Sequence, residues 1–352
     1  MKKRIILAGV MAVSLAMSGC NKVKDDAKSK VKSTSSVSSE EHEKLEPTQT
    51  KSEETAKTTE AKEPSELMKK LDQDINSIYS DDSFTLPAEI YCHLTALTSW
   101  YTDIKIDSKN NTFTGGYESA LPNLDGDGYD MLQCTFNGTI DGFTRVNEYS
   151  FSAHVKTMET EKFDKKSDRY MDLPAEVTYS DPYGFTKADE IILYLPNTPV
   201  SQLSDKAIEW IEAYQEIDRN GCLGSFILYN PAEEAAFMTL VPAIPATSDI
   251  SSSDLAKWQG EYVDNHEGIK ISFDTSSDPA AVTVKRGGST YENMHIKAVK
   301  DDNACLIIYG ENDEGNVIVA KFGTIDQKMT LQICASSDPQ LPSGKEFHPE
   351  KA

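Results

Sequence analysis

Residues 304–334, ACLIIYGENDEGNVIVAKFGTIDQKMTLQIC, contain three short apolar runs separated by two polar turns. The runs cover residues 304–309, 316–323 and 327–334, and the turns are Asn312-Asp313-Glu314-Gly315 and Asp326-Gln327. Short apolar runs bounded by Asn, Asp and Gly are typical of antiparallel strands that follow one another in sequence. The pattern therefore predicts a β-meander near the C-terminal end of the chain.

The same pattern extends back to residue 258. Further strands are predicted at 258–263, 268–274, 280–286 and 289–299, with turns at Gly287-Gly288 and Asp301-Asp302-Asn303. Seven short strands joined by tight turns indicate an up-and-down meander that closes into a small barrel or a sandwich. A stretch rich in Pro, Ala, Ser and Thr, Pro242–Ser253, precedes it. We therefore expect a small all-β domain at 254–336, followed by a C-terminal tail at 337–352.

The all-β region opens with the residues Trp258-Gln259-Gly260-Glu261-Tyr262. This W-x-G-x-Y start resembles the first strand of the lipocalin-like modules found in many exported bacterial proteins. The resemblance covers residues 254–336 and implies a β-barrel. Because the region is shorter than a full lipocalin, we expect the barrel to be filled by its own side chains rather than to enclose a ligand.

The preceding region, residues 65–245, mixes helical and strand patterns. Leu67, Leu71, Ile75 and Ile78 recur at helical spacing and predict a helix over residues 65–80. A second helix is predicted over residues 203–219, capped by Ser204 and ended by Asn220-Gly221. Strands are predicted at 113–117, 129–140, 144–158 and 191–195, with a hairpin signal at Asp141-Gly142. The fold class is therefore α+β and mostly antiparallel β, with an N-terminal sheet domain that carries one or two helices, followed by a small all-β meander or barrel.

The first twenty residues have the features of an export signal. Lys2, Lys3 and Arg4 precede an apolar run from Ile5 to Met17, which is too short to span a bilayer. The run ends in LAMSGC, residues 15–20, which resembles the lipobox of bacterial lipoproteins. The resemblance implies that residues 1–19 are removed and that Cys20 carries the lipid. Such a protein is anchored in the cell membrane and faces outside the cytoplasm.

Residues 20–64 consist largely of Lys, Glu, Ser and Thr, with few large apolar side chains. A segment of this composition cannot bury enough apolar surface to offset the entropy lost on ordering. The sequence therefore predicts a disordered tether between the lipid and the folded region.

The chain is strongly acidic, with 57 Asp and Glu against 35 Lys and Arg and a net charge of −22. A surface of this charge repels phosphate backbones, so nucleic acids are excluded as partners. Such a surface fits a cationic partner or peptide, but solubility alone explains it more simply.

Five cysteines follow Cys20, and an exported protein can form disulfides. The pairs Cys92–Cys134 and Cys305–Cys334 each fall inside one predicted domain and are the pairings we expect. Buried thiols are the alternative, because a single cysteine is a common core residue. No C-x-x-C pair is present, so the sequence does not indicate structural zinc.

An acidic, glycine-rich stretch, DGDGYD at residues 125–130, precedes one predicted strand. Asp125, Asp127 and Asp130 could supply oxygen ligands to Ca²⁺, the one cofactor that the sequence indicates. The twelfth position of such a loop, which would be acidic in an EF-hand, is Phe136. A solvated turn is the alternative interpretation.

No catalytic motif is present in the sequence: it contains neither H-E-x-x-H nor G-x-S-x-G. Trp100 and Tyr101 form an aromatic pair that could stack on a sugar or peptide, or pack in the core. We therefore predict a non-catalytic module that binds a protein, a peptide or a cell-wall component. The alternatives are a carboxylate-based hydrolase of wall glycan or peptide, and a lipocalin-like carrier of a small ligand.

Overall fold

The computed structural model describes residues 63–352 except 96–98, 124–125, 215–216, 218–220, 242, 278 and 301. The predicted signal peptide and Cys20, with the tether as far as residue 62, lie outside these residues. The described residues all belong to one compact unit. The predicted fold class is confirmed, because the unit is built mainly from antiparallel strands with few helices.

The first part of this unit is an eleven-stranded sheet. Its strands are β1 (Glu89–Thr95), β2 (Trp100–Asp107), β3 (Thr112–Pro122), β4 (Tyr129–Ile140), β5 (Thr144–Asn147), β6 (Ser150–Thr160), β7 (Lys166–Tyr170), β8 (Leu173–Tyr179), β9 (Glu190–Tyr194), β10 (Ile227–Asn230) and β11 (Ala235–Thr239). Eight of them pair in the cyclic order β6-β9-β10-β11-β1-β2-β3-β4, and β4 returns to β6 through pairs such as Phe136 with Thr160. The result is a closed antiparallel barrel, in which those strands have no free edge.

Inside the barrel, alternate residues of each strand form a buried apolar cluster. Aromatic side chains fill much of this space, and Phe113, Phe136 and Phe237 are each at most 2% exposed. Small eight-stranded barrels are commonly filled by side chains in this way.

Two predicted elements of the first part divide into shorter ones. The predicted helix over 65–80 is an α-helix, α1 (Glu66–Gln73), followed by a 3₁₀ helix (Ile75–Ser80), because Asp74 is extended and its carboxylate caps the amide of Asn76. The predicted strand over 144–158 is a hairpin of β5 and β6. Its turn is stabilised by Asn147, whose side-chain oxygen accepts from the amide of Tyr149.

The second predicted helix is present as α2 (Asp205–Tyr214), preceded by a 3₁₀ turn (Val200–Gln202). Ser204 caps it, as predicted, by accepting a hydrogen bond from the amide of Ala207. Ala207 and Ile211 are fully buried and pack outside the barrel in an apolar cluster with residues of β9, β10 and β11. The helix is therefore fixed to the outer wall of the barrel.

The C-terminal part contains two further sheets. Its helical elements are α3 (Ser252–Leu255) and a 3₁₀ turn (Ala256–Trp258). Its strands are β12 (Thr247–Ser248), β13 (Gly260–Asp264), β14 (Ile269–Asp274), β15 (Ala281–Arg286), β16 (Ser289–Tyr291), β17 (His295–Val299), β18 (Asp302–Glu311), β19 (Val317–Ile325), β20 (Lys328–Ser336), β21 (Glu346–Phe347) and β22 (Glu350–Lys351). The sheets have the orders β12-β17-β18-β19-β20-β21 and β16-β15-β14-β13-β22, and they share one buried core.

The observed strands of these two sheets differ from the predicted meander in two respects. The single strand predicted at 289–299 is divided into β16 and β17, which belong to different sheets, with Asn293 at φ 52° between them. The residues after Ser336, predicted as a tail, supply one short strand to each sheet, since β21 pairs with β20 and β22 pairs with β13.

The lipocalin-like resemblance is confirmed in one respect: the protein contains a closed eight-stranded antiparallel barrel. That barrel is formed by strands between Glu89 and Thr239, whereas the region that begins with Trp258 forms the two facing sheets of the sandwich alternative.

The six-stranded sheet is apolar on each face. Ile308 packs in the core of the sandwich, and the adjacent Ile307 packs in the cluster that includes α1 and the barrel interior. Within the described residues, no helix is long and apolar enough to cross a membrane.

Candidate binding site

The segment between β8 and β9 folds over the barrel and fixes one exposed aromatic ring. Phe185 is fully buried, with its ring centroid 5.4 Å from that of Phe113 and 6.0 Å from that of Phe237. Gly184 precedes it at φ +80°, and a Cβ there would lie 2.5 Å from Leu94 Cδ2. Only glycine combines this backbone conformation with so close an approach. The chain can therefore bury Phe185 while the side chain of Tyr183 stays outside.

Tyr183 is held from both sides although its side chain is half exposed. The buried hydroxyl of Thr102 donates to the carbonyl of Tyr183 at 2.7 Å, and the side-chain amide nitrogen of Asn230 donates to the carbonyl of Gly184 at 2.9 Å. The indole of Trp100 lies 4.6 Å from the tyrosine ring between centroids. A ring that is 51% exposed on a backbone fixed in this way can contact a ligand at little entropic cost.

Trp210 of α2 supplies a second ring beside Tyr183. Its indole NH donates to the carbonyl of Glu234 at 2.9 Å, and its ring is stacked 6.0 Å from that of Tyr214. The hydroxyl of Tyr214 lies 3.4 Å from the carbonyl oxygens of Thr95 and Ala236. The orientation of Trp210 is therefore fixed by the barrel wall as well as by the helix.

The two rings line a pocket of about 340 Å³ together with charged side chains. The lining residues are Tyr183, Lys206, Glu209, Trp210, Glu233 and Glu234. The ammonium group of Lys206 lies 3.0 Å from a carboxylate oxygen of Glu209, so one of the three carboxylates is paired within the pocket. Glu233 and Glu234 leave the pocket net negative.

Glu233 is the most enclosed of these carboxylates. It accepts a hydrogen bond from the amide of Thr186 at 3.0 Å. Burial raises the pKa of Glu233 above its ordinary value of 4.5, and the backbone NH groups of Thr186 and Lys187, together with the positive charge of Lys187, only partly oppose this effect. A bound cation would favour the ionised form, so this group is sensitive to the charge of whatever occupies the pocket.

Two aromatic rings beside carboxylates are chemically suited to contact a cation. Ammonium and guanidinium groups are attracted to the faces of Trp and Tyr rings, and carboxylates accept their hydrogen bonds. Of the residues proposed from sequence, Trp100 lies next to this site and supports the Tyr183 ring. Tyr183, Trp210 and Glu233 carry no local sequence signal, because a loop, a helix and a turn far apart in the chain bring them together.

The predicted calcium site is only partly within the described residues. Asp127 lies in a bend and Asp130 lies on β4, while Asp125 is outside the described residues. No group of three or more His, Cys, Asp or Glu side chains in the described part of the chain is arranged to hold a metal ion. Since Asp125 is not described, calcium binding at this loop stays a prediction.

Cys92, Cys134, Cys305 and Cys334, the residues of the two predicted disulfides, are all buried thiols in this structure. Cys92 lies on β1 and Cys134 on β4, so two strands separate them; one strand, β19, separates Cys305 from Cys334. Adjacent strands are about 4.8 Å apart. Either separation therefore exceeds the Cα distance of about 7 Å that a disulfide can bridge. In this structure the four residues are buried core thiols.

Comparison of the chain with protein-family models, with curated proteins and with solved structures gave no match. The geometry of the pocket is therefore the basis for any proposal about what the protein binds.

Proposed function

We propose that this protein is a membrane-anchored lipoprotein outside the cytoplasm whose folded part binds a cationic segment of a peptide or protein without catalysis. The observation that carries the binding proposal is the pocket in which Tyr183 and Trp210 lie beside Glu209, Glu233 and Glu234. The rings attract a cation through their faces, and the carboxylates accept its hydrogen bonds.

Charge supports a cationic rather than an anionic partner. The chain carries a net charge of −22, and a surface of this sign concentrates cationic molecules near the protein and accelerates their association. The same charge repels nucleic acids and anionic wall polymers. Among the partners predicted from sequence, a basic peptide or protein segment is therefore the best fit to the pocket.

The membrane anchor is supported by the sequence alone. The basic residues 2–4, the apolar run and the sequence Ser18-Gly19-Cys20 are together typical of a lipoprotein signal. Lipid on Cys20 would hold the folded part at the outer face of the cell membrane. Replacement Cys20→Ala should transfer the protein from the membrane fraction to the soluble fraction of cells that express it.

Binding is tested by titrating the full-length protein with trilysine and, separately, with triglutamate in a calorimeter at low ionic strength. We expect trilysine to bind and triglutamate not to bind, and the affinity for trilysine to fall as salt is added. Tyr183→Ala should lower the affinity about tenfold or more, because the cation loses a ring face and a packing surface.

Tyr91→Ala is the matched control, since Tyr91 is 44% exposed on the same barrel and does not line the pocket. Equal loss of affinity in both variants, or equal binding of trilysine and triglutamate, would contradict the proposal.

A further inference from the structure

A second cleft, of about 780 Å³, lies in the C-terminal sandwich where β22 pairs with β13. Its wall contains apolar side chains, among them Trp258, Tyr262 and Met329. Its volume falls within the range of about 300–1,000 Å³ that is usual for small-molecule sites. The pocket beside Tyr183 is formed by other residues, so the two sites are separate.

The charge of this cleft is opposite to that of the chain. Lys257, Lys328 and Lys351 line it against the single carboxylate of Glu350, so these four groups sum to +2. Among the described residues, none of the three lysines takes part in an ion pair closer than 4.0 Å, whereas other lysines such as Lys270 and Lys345 do. Three ammonium groups that have no carboxylate partner in the described part of so acidic a protein are available to an anion.

Aromatic rings hold two of these ammonium groups at the cleft. Nζ of Lys257 lies 5.2 Å from the ring centroid of Trp258, and Nζ of Lys351 lies 5.6 Å from that of Tyr262. Lys257 also donates to the carbonyl of Asn303. Contacts with ring faces restrict the lysine side chains and leave their charge uncompensated. The two cations are therefore partly preorganised.

Trp258 adds an independent observation. Its side chain is 5% exposed, and its ring centroid lies 5.6 Å from that of Phe322 in the sandwich core. Its indole NH is buried and has no hydrogen-bond partner among the described residues. A buried donor without an acceptor is unusual in a folded protein. Because Trp258 lines the cleft, its indole NH signal can report on a molecule bound beside its ring.

We propose that this cleft binds a small organic carboxylate with an apolar body. The carboxylate group interacts with the ammonium groups of Lys257, Lys328 and Lys351, and the body lies against Trp258 and Met329. A small anion is favoured over a polyanion, because an extended polyanion would also meet the negative surface of the rest of the protein. This site goes beyond the proposed cation-binding function and does not depend on it.

Nuclear magnetic resonance of the full-length protein labelled with ¹⁵N tests the proposal through the indole NH signals of its three tryptophans. The probe is 4-phenylbutyrate, and 4-phenylbutylamine is the control because it has the same apolar body and the opposite charge. We expect 4-phenylbutyrate to shift the Trp258 signal and 4-phenylbutylamine to leave it unchanged. Trp258→Phe assigns the signal.

Lys328→Gln should lower the affinity for 4-phenylbutyrate about tenfold, as expected for loss of one charge-assisted contact. Lys328 is exposed, so this variant should fold. Lys300→Gln is the matched control, since Lys300 is an exposed lysine of the same sandwich that does not line the cleft.

The proposal is overturned if 4-phenylbutyrate leaves the Trp258 signal unmoved, if the amine shifts it equally, or if Lys328→Gln binds as well as Lys300→Gln. The Trp210 signal reports on the other pocket. Failure of this proposal and failure of the cation-binding proposal are therefore distinguished in the same spectra.

Discussion

Tyr309 of β18 donates a hydrogen bond of 3.1 Å to Oδ1 of Asp72 in α1, joining residues 237 positions apart in the sequence. Nδ1 of His295 lies 2.7 Å from the same oxygen. These polar contacts lie beside an apolar cluster that contains Leu71 of α1 and Ile307 of β18. The N-terminal helix is therefore fixed to the six-stranded sheet by polar as well as apolar contacts.

Asp72→Ala should lower the free energy of unfolding by about 1–2 kcal/mol, because it leaves the largely buried hydroxyl of Tyr309 without its acceptor. The free energy is measured by urea unfolding. Introduced into Tyr309→Phe, the same substitution should cost less, since the hydroxyl is already absent. Asp313→Ala, in an exposed turn, is the control, and an equal effect of Asp72→Ala in the two backgrounds would contradict the expected coupling.

Gly184→Ala tests how the Tyr183 ring is positioned. The new Cβ would meet Leu94 at 2.5 Å in a backbone with φ +80°, so we expect a loss of about 1–3 kcal/mol in the free energy of unfolding. Because the strain displaces the neighbouring Tyr183, the affinity for trilysine should fall as well. Gly288→Ala is the control, since its Cβ would meet no atom within 4 Å. Unchanged trilysine affinity in Gly184→Ala would show that the glycine does not position the ring.

Local sequence signals account for the strands better than for the barrel. Apolar runs between turns such as Asn312–Gly315 predicted β18, β19 and β20, because each run and turn is contiguous. Closure of the barrel depends on pairing β11 with β1, for example Thr239 with Cys92, and no local pattern specifies a contact so distant in sequence. The lipocalin-like resemblance predicts a barrel that begins at Trp258, whereas the observed barrel is formed by strands between Glu89 and Thr239.

The binding site was less predictable for the same physical reason. The sequence indicates Trp100 as part of an aromatic pair, and in the structure its ring supports that of Tyr183. The carboxylate of Glu233 looked no different from the many other acidic side chains of the chain. Its enclosure arises only when the loop containing Thr186 folds against it.

The buried cysteines should be unreactive in the native protein. Burial raises the pKa of Cys134 and of Cys305 to about 11 and that of Cys334 to about 12, and it raises the pKa of Cys92 further. Since the thiolate is the reactive form, iodoacetamide at pH 8 should modify these four residues only after unfolding, as read by mass spectrometry. A reducing agent should leave the unfolding temperature unchanged. A marked decrease would instead indicate a disulfide.

Acid should loosen the C-terminal segment through Asp264. Its carboxylate accepts from the amides of His266, Glu267 and His348 at 3.0–3.1 Å. Burial raises the pKa of Asp264, but these hydrogen bonds outweigh it and hold the pKa below its ordinary value of 3.8. The contribution of Asp264 to stability is therefore fully present above about pH 4 and is lost as the pH falls through the lowered pKa.

Asp264→Asn should lower the stability at pH 6 and reduce its further loss below pH 4. The asparagine NH₂ group cannot accept the hydrogen bond from His348, and it does not titrate. Urea midpoints measured from pH 6 to pH 3 give both quantities, with Asp313→Asn as the control. Parallel curves for the wild type and Asp264→Asn would exclude a role for this carboxylate in the acid response.

Cation binding should depend on pH through Glu233. Because the pKa of this carboxyl is raised above 4.5, the group becomes protonated at a higher pH than an ordinary glutamate. A cation binds the ionised form better, so the affinity for trilysine should fall as the pH is lowered through this raised pKa. Binding just above that pH should also release protons, which calorimetry in buffers of different ionisation enthalpy measures.

Glu233→Gln should bind trilysine more weakly, with less dependence on pH and without this proton release. Tyr91→Ala should retain the wild-type pH profile. If Glu233→Gln keeps that profile too, another carboxylate of the pocket is the group that responds to pH.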